Sequence, residues 1–195
     1  MDNLFLRAEK RKEKALQVVE TLGLLEKWSR YGSPVLVGAI RYDLMVALDI
    51  DLEIYTDEPE IEHGFEAMTA VARLPGVWQV NFSNELEGPD QGLYWQIRYR
   101  DETGELWNVD SWFVGHDHPH AHWGGKFADA MQKALTDEKR RVILEIKEAL
   151  QDETGVRGID IYRSVLESGV RTVTEFREWL EYTKPDGIIL WLPSA

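Results

Sequence analysis

The chain has 195 residues, 44% of them hydrophobic, which is enough for one α/β domain with an attached helical part. Its formal net charge of −13 argues against a broad nucleic-acid-binding surface, so long DNA or RNA is not an expected partner. The absence of cysteine excludes disulfides and thiol nucleophiles. Because the sequence has neither a transmembrane run nor an apolar leader, we expect a cytoplasmic protein without membrane contact.

The N-terminal part of the chain predicts helices followed by a strand. Residues 3–31 carry leucine and valine at helical spacing, in one or two helices, and Gly32 ends the pattern. A short apolar strand follows at residues 35–37. We expect the helices to pack on the sheet to which this strand belongs.

Two carboxylates stand two residues apart just beyond a glycine turn. Gly38-Ala39 opens the segment 40–48, which is long enough for about two helical turns, and a helix start offers unpaired N–H groups to a phosphate. Strand side chains alternate, so Asp49 and Asp51 lie on one face of the next strand. Like charges this close suit a divalent cation such as magnesium. The alternative is a strand with one solvated acidic face.

The middle of the chain predicts a helix and three strands. Residues 60–74 have apolar positions at helical spacing. The strands are residues 77–83, 93–100 and 106–114. If the loop 101–105 is symmetric, Gln96 pairs with Asp110, and Arg98 lies on the same polar face of the hairpin. An acidic group on a mostly apolar strand is unusual, because burial of an uncompensated charge is costly.

The sequence around the paired carboxylates resembles the signature of the nucleotidyltransferase superfamily, the polymerase-beta-like fold. That signature is an apolar residue, then Gly followed by Ser or Gly, a short spacer, and Asp, an apolar residue, and Asp or Glu. The matching residues are Val37, Gly38, Ala39, nine spacer residues, Asp49, Ile50, Asp51 and Leu52. The resemblance implies an α/β fold, with a nucleotidyltransferase-like mixed sheet flanked by helices and a C-terminal helical part.

The resemblance also implies a catalytic site. Asp49 and Asp51 would hold two Mg²⁺ ions on a nucleoside triphosphate, together with a third carboxylate from a later strand. Asp110 is the candidate for that third carboxylate and for the base that takes a proton from the acceptor. The implied reaction is transfer of a nucleoside monophosphate to a small hydroxylated acceptor, with pyrophosphate leaving.

Four residues are expected to bind the nucleotide, namely Gly38, Ala39, Arg41 and Arg98. Ala39 departs from the serine or glycine of the family, so a hydroxyl contact is lost while backbone N–H contacts remain. Arg41 would supply a replacement donor, or else be solvated, and Arg98 would offset triphosphate charge, or else form an exposed salt bridge. The change at Ala39 also favours an alternative, a non-catalytic binding protein that retains the fold.

A histidine-rich segment follows the strand of Asp110. His116, His118, His120 and His122 occupy alternate positions, so in an extended chain their imidazoles align, and a suitably spaced pair would bind a transition metal such as zinc or nickel. The alternative is a polar loop, because glycine and proline punctuate the segment. A third interpretation places this loop over the nucleotide, with His116 or His118 touching phosphates or the acceptor.

Helices dominate the C-terminal part of the chain. Thr136 is the predicted N-cap of one helix, and Thr172 with Glu175 predicts a capping box for another. We therefore expect a nucleotidyltransferase-like α/β core with N-terminal helices at residues 1–125 and a helical part at 126–195. The helical part would complete an acceptor cleft, or else serve for packing or for a homodimer interface.

Overall fold

The computed structural model describes residues 3–183 and 191–194, and within these ranges helices flank a five-stranded sheet. The strands are β1 (Ser33–Val37), β2 (Asp49–Thr56), β3 (Val77–Asn84), β4 (Leu93–Arg100) and β5 (Leu106–Gly115). The α-helices are α1 (Asn3–Leu22), α2 (Leu24–Trp28), α3 (Ile61–Ala72), α4 (Trp123–Ala134), α5 (Asp137–Ala149), α6 (Gly158–Ser168) and α7 (Val173–Thr183). None of the described helices is long and apolar enough to cross a membrane.

The sheet is mixed, with the strand order β1-β2-β5-β4-β3. Strands β2 and β5 run parallel, whereas all other neighbouring strands are antiparallel. This arrangement confirms the predicted α/β class with a mixed sheet flanked by helices. The parallel pair is central in the sheet, and the three aspartates of the predicted site lie on it.

The β4–β5 hairpin has the predicted register, in which Gln96 pairs with Asp110. Asp101 stabilises the connecting loop, because its carboxylate accepts hydrogen bonds from two backbone N–H groups of that loop. The same carboxylate accepts a hydrogen bond from Trp107 Nε1 at 3.1 Å, so the buried indole is satisfied. The loop therefore sets which face of β5 carries Asp110.

One face of the sheet holds the main hydrophobic core, which α1, α2 and α3 cover. Trp28 is fully buried there, with its ring centroid 5.6 Å from that of Trp95 and 5.3 Å from that of Phe113. Ile50 and Leu52 of β2 also face this core. Because side chains alternate along a strand, the acidic residues of β2 face the opposite side of the sheet.

A second hydrophobic cluster joins α4–α7 to the first half of α1 and to the segment 42–46. The Tyr42 ring lies 5.9 Å from Phe127 and 5.5 Å from Tyr162, in edge-to-face contacts. Leu4 of α1 belongs to this cluster, whereas the second half of α1 packs in the main core. Helix α1 therefore connects the helical part to the sheet.

The predicted N-cap Thr136 is confirmed, and so is the Thr172 half of the predicted capping box, whereas Glu175 Oε2 accepts from Arg171 N and not from Thr172 N. Thr136 Oγ1 accepts a hydrogen bond from Lys139 N at 3.3 Å at the start of α5. Thr172 Oγ1 accepts one from Glu175 N at 3.2 Å at the start of α7. Each hydroxyl satisfies one N–H group that has no partner within its own helix.

The predicted helix over residues 40–48 is wrong. A single 3₁₀ turn, Gly38–Arg41, follows β1, and the chain then passes through turns to β2. Leu44 and Val46 pack in the second hydrophobic cluster while Met45 between them packs in the main core, an alternation that favours a non-helical chain. Asp43 also adopts a φ of 57°, outside the helical region. The segment therefore has no α-helix whose N-terminus could bind a phosphate as expected.

Helix α4 is absent from the sequence-based prediction, because Gly124 and Gly125 indicate a loop. In the structure both glycines belong to α4. A Cβ added to Gly124 would lie 2.6 Å from Val37 Cγ1, so glycine allows α4 to approach β1 closely. Gly124 thus marks a helix–strand contact instead of a break in structure, whereas nothing lies within 4 Å of a Cβ added to Gly125.

Candidate active site

The structure brings Asp49, Asp51 and Asp110 together on the polar face of the sheet. Asp51 of β2 is directly opposite Asp110 of β5, and Asp49 precedes them along β2 on the same face. One oxygen from each carboxylate lies within 4.8 Å of the others. Of all His, Cys, Asp and Glu in residues 3–183 and 191–194, only these form a group of three or more able to share a metal ion.

Gly38 lies directly against the carboxylate of Asp51. Its φ is 71°, in the left-handed region that favours glycine, and a Cβ added there would overlap Asp51 Oδ2. The register of β1 and β2 produces this contact, because Val37 pairs with Asp51 and the chain turns immediately afterwards. The glycine of the motif therefore positions the second aspartate.

Two neutral donors on β4 hold Asp110 in place. Asp110 Oδ1 accepts hydrogen bonds from Tyr94 Oη at 2.6 Å and from Gln96 Nε2 at 3.2 Å. One residue pair further along the same face, the Arg98 guanidinium donates to Asn108 Oδ1. These contacts extend the polar row predicted for the hairpin and fix the Asp110 carboxylate on the face of the sheet that it shares with Asp49 and Asp51.

Burial and mutual repulsion raise the pKa of two of the three carboxyl groups. The pKa of Asp51 is raised to about 7, first by burial and then by the charges of Asp49 and Asp110. The pKa of Asp49 is raised to about 6, again first by burial and then by Asp110. Lys147 lowers both values in part, and Arg98 lowers that of Asp49. Both carboxyl groups thus resist ionisation as long as no cation offsets their charge.

The donor set fits a hard divalent cation such as Mg²⁺. Asp49 Oδ1 is buried and has no hydrogen-bond partner within the described part of the chain. A buried carboxylate oxygen without a partner is costly, and three carboxylates in one place repel one another when ionised. Oxygen ligands of this kind are those that magnesium prefers.

A cavity of about 560 Å³ lies between the acidic face of the sheet and the helical part. Asp49, Asp51 and Gly38 line it on the sheet side, and Lys147 and Tyr162 line it on the side of α5 and α6. Its volume is in the range of small-molecule and cofactor sites. Asp49 and Asp51 therefore border a space large enough for a nucleotide, whereas Asp110 lies beside them and does not line it.

Lys147 is a site residue that the sequence does not reveal. Its Nζ donates to Leu44 O at 2.7 Å and to Tyr162 Oη at 3.0 Å, and these contacts hold the ammonium group at the cavity. A lysine in the last turn of an amphipathic helix is ordinarily a solvated residue near the negative end of the helix dipole. Only the packing of α5 against the segment 42–46 distinguishes it.

Two of the four residues predicted to bind a nucleotide line the cavity. Gly38 and Ala39 do so, next to Asp51. Arg41 Nη1 instead donates to the backbone oxygen of Leu36 at 3.2 Å, and Arg98 is engaged with its neighbour on β5. Neither arginine lines the cavity, and their role in nucleotide binding stays a prediction.

The histidine segment is a loop of turns, as its glycine and proline residues predict, and not the extended chain that would align the imidazoles. His118 Nε2 lies 2.8 Å from Asp90 O, and its Nδ1 accepts from His120 N at 3.1 Å. Because a carbonyl only accepts, Nε2 carries the proton and both ring nitrogens are occupied. The His116 and His122 rings stack with centroids 5.9 Å apart. A transition-metal site at this loop stays a prediction, as does its contact with a nucleotide.

No protein-family model matches the sequence, and no curated protein sequence matches it either. The fold is similar to that of several solved structures. One is the Cid1 poly(U) polymerase with MgGTP bound, at 14% identity and a TM-score of 0.57, covering 85% of this chain and 50% of that one.

Two further structures give the same result. Cid1, described for its RNA terminal uridylyl transferase activity, has 13% identity and a TM-score of 0.60 over 81% of this chain and 48% of that one. A cytoplasmic RNA terminal U-transferase has 14% identity and a TM-score of 0.53 over 81% and 46%. At this identity the likeness shows the fold alone, and the chain spans about half the length of these structures. The fold is similar to that of these transferases.

Proposed function

We propose that this chain, which has the nucleotidyltransferase fold, transfers a nucleoside monophosphate from a nucleoside triphosphate to a small hydroxylated acceptor, in a magnesium-dependent reaction. The observation that supports this most is the convergence of Asp49, Asp51 and Asp110 beside a nucleotide-sized cavity. The proposal includes two Mg²⁺ ions held by these carboxylates. When bound, such ions neutralise charge on the triphosphate and on the attacking and leaving oxygens.

In the proposed reaction the acceptor hydroxyl oxygen forms a bond to the α-phosphorus, and the bond from that phosphorus to the β-phosphate oxygen breaks. Asp110 takes the hydroxyl proton, and pyrophosphate leaves with the electron pair of the broken bond. Asp49 and Asp51 would hold the cations, which would supply positive charge to the triphosphate. Gly38 and Ala39 lie beside it, and the positive charge of Lys147 favours the triphosphate tail.

The choice of a small acceptor is supported by the charge of the chain. With a formal net charge of −13, the protein repels the phosphates of a long nucleic acid. A second candidate acceptor is an RNA terminus, because the similar structures include a poly(U) polymerase and an RNA terminal U-transferase. Both candidates use the same carboxylates and the same nucleotide cavity.

The division of the chain is part of the proposal. Residues 1–125 would form the catalytic core, and residues 126–195 would form the helical part that closes the nucleotide cavity. Support comes from α5 and α6, which supply the cavity wall facing the carboxylates. Because α1 contributes to both hydrophobic clusters, it would hold the helical part in a fixed position against the core.

The test is a transfer assay with each of the four α-labelled nucleoside triphosphates and Mg²⁺. The acceptors are a panel of hydroxylated small molecules and a single-stranded oligoribonucleotide. We expect label transfer by the native chain and its loss, by about 10³-fold or more, in Asp51→Asn, because the variant lacks a cation ligand. Asp57→Asn, an exposed position just beyond β2, is the matched control and should retain full activity.

Calorimetry separates the alternatives. Nucleotide binding without transfer to any acceptor would favour the non-catalytic binding protein. Absence of nucleotide binding in the presence of Mg²⁺ would overturn the proposal. Stoichiometric zinc or nickel in protein prepared without a histidine tag would instead favour the histidine loop as a metal site.

A further inference from the structure

The two edge strands of the sheet, β1 and β3, differ in how they are protected from pairing with another strand. β1 contains Pro34, which has no N–H group to donate, and α4 packs closely on it at Gly124. β3 pairs with β4 on one side, and no strand in the described part of the chain pairs with its other side. Its residues include neither a charged residue nor proline, and its one irregularity, at Trp78, lies near its start.

The hydrogen-bonding pattern shows which backbone groups of β3 point away from β4. Glu85 N donates to Gly92 O at 2.9 Å, just beyond the last paired residues of the two strands. Because bonded pairs alternate along antiparallel strands, every second residue of β3 from Glu85 backwards bonds to β4. The residues between them, whose N–H and C=O groups point outward, are Val80, Phe82 and Asn84.

A second copy of β3 fits this edge when it runs antiparallel about a twofold axis at Phe82. Phe82 then faces Phe82 of the second copy, and Val80 faces Asn84 of the second copy, once on each side of the axis. Each of these pairs can form two backbone hydrogen bonds, so all outward groups of the regular part of β3 are satisfied. An axis one residue away in either direction leaves one of the three residues facing a position outside that regular part.

Aromatic side chains continue the main core out to the same edge. Phe82 is half-buried, and its ring centroid lies 4.8 Å from that of Trp95 in the core. On its other side the ring centroid of Phe65 of α3 lies 4.8 Å away, and Phe65 is 46% exposed. The twofold axis brings Phe65 and Phe82 of the two copies together, so each pair covers the other from water.

The side chains at the two ends of β3 also complement each other across this axis. Gln79 lies opposite Glu85 of the second copy, so an amide donor faces a carboxylate. Trp78 is 58% exposed at one end of the strand, and Leu86 is 37% exposed just beyond the other. The axis places each of these apolar side chains near the other. No like charges face each other along β3, although the chain as a whole carries −13.

We propose that this chain forms a twofold-symmetric dimer in which β3 pairs with β3 of a second copy. The two five-stranded sheets then join into one continuous sheet. Because each copy uses its only open edge, the assembly closes at two chains. This inference does not depend on the proposed function, since the carboxylates lie on β2 and β5.

The first test is the molar mass of the full chain over a dilution series, by sedimentation equilibrium at physiological salt. We expect twice the mass of one chain at about 100 µM and dissociation on dilution. Val80→Pro removes an outward N–H and keeps the bonds to β4, and Trp78→Glu adds a charge at an exposed position. Each should weaken the dimer about tenfold or more. Leu16→Glu, at a 43% exposed position on α1, is the matched control and should leave the dimer unchanged.

The second test reads the register, because the native chain has no cysteine. In the proposed dimer Asn81 lies opposite Ser83 of the second copy, with Cα atoms about 4.5 Å apart, which suits a disulfide. A mixture of Asn81→Cys and Ser83→Cys should therefore cross-link under mild oxidation. In the control mixture of Asn81→Cys and Gln79→Cys the cysteines are separated by about 13 Å along the strand, so that mixture should not cross-link.

A native chain that stays monomeric throughout the dilution series overturns the inference. So does a dimer that survives in both variants, equal cross-linking in the two mixtures, or a mass that grows beyond two chains. Circular dichroism and urea unfolding check that each variant is folded. If Val80→Pro is not, Trp78→Glu and the cross-linking pair decide the result.

Discussion

The position of the Asp51 carboxylate depends on the absence of a side chain at residue 38. Gly38 has no Cβ, and a Cβ there would occupy the place of Asp51 Oδ2. Gly38→Ala should therefore displace the carboxylate and weaken Mg²⁺ binding about tenfold or more, in addition to the strain of alanine at a φ of 71°. Titration calorimetry with Mg²⁺ measures the first effect, and urea unfolding measures the second.

Gly104→Ala is the matched control for this prediction. Gly104 has a φ of 87°, but nothing lies within 4 Å of the Cβ that alanine would add. It should lose a similar free energy of unfolding, about 1 kcal/mol, and keep its affinity for Mg²⁺. Equal loss of Mg²⁺ affinity in both variants would show that backbone strain, and not the contact with Asp51, controls the site.

The raised pKa values of Asp49 and Asp51 predict how stability depends on pH without metal. Their folded values, about 6 and about 7, exceed the usual 3.8, so the folded state holds more protons than the unfolded state between these limits. Stability in EDTA should therefore fall as pH rises from about 4 to 7, by about 1.4 kcal/mol per unit of pKa shift. Mg²⁺ should restore it above pH 7.

Urea midpoints at pH 5 and pH 8, with EDTA or with Mg²⁺, measure this dependence. Asp51→Asn removes one titrating group and the repulsion it causes. The difference in stability between the variant and the native chain should therefore favour the variant at pH 8 in EDTA and nearly vanish at pH 5. A difference that is the same at both pH values would contradict the predicted ionisation.

Helix α5 contributes to the site although it lies outside the motif-bearing part of the chain. It carries Lys147, which lines the nucleotide cavity and lowers the pKa of Asp49 and Asp51. Lys147→Met keeps the apolar stem and removes the charge. Its affinity for a Mg²⁺–nucleoside triphosphate should fall about tenfold, the size of one charge-assisted contact. Calorimetry with the nucleotide measures this change.

Lys139→Met is the matched control on the same helix. Lys139 Nζ also donates to a backbone carbonyl, that of Ala134 at 3.2 Å, but it does not line the cavity. Nucleotide affinity should be unchanged in this variant. A similar loss in both variants would mean that α5 acts through its stability and not through the charge of Lys147.

The whole molecule is acidic, and this predicts its behaviour towards RNA. With a formal net charge of −13, the chain should bind a fluorescent single-stranded oligoribonucleotide more weakly than about 100 µM at physiological salt, at the weak limit of non-specific binding. Fluorescence anisotropy at 50 and 200 mM KCl measures it. Tight binding that weakens steeply with salt would instead support an RNA terminus as the acceptor.

The sequence by itself determined the strands and which side chains share a face, because alternation and turn chemistry are local properties. Asp49 and Asp51 are two residues apart on one strand, so they must lie on the same face. Asp110 followed from the symmetric loop, which sets its register opposite Gln96. The three carboxylates of the candidate site could therefore be predicted from the sequence pattern and the family resemblance.

Only the tertiary structure decided the rest, because it depends on contacts between residues far apart in the chain. The segment 40–48 is not a helix, since Leu44 to Val46 are all buried in the two hydrophobic clusters. Gly124 belongs to a helix because α4 packs closely on β1. Lys147 lines the same cavity as Asp49 and Asp51 because α5 packs across from them. Hydrophobic periodicity reports local secondary structure and does not show which distant residues pack together.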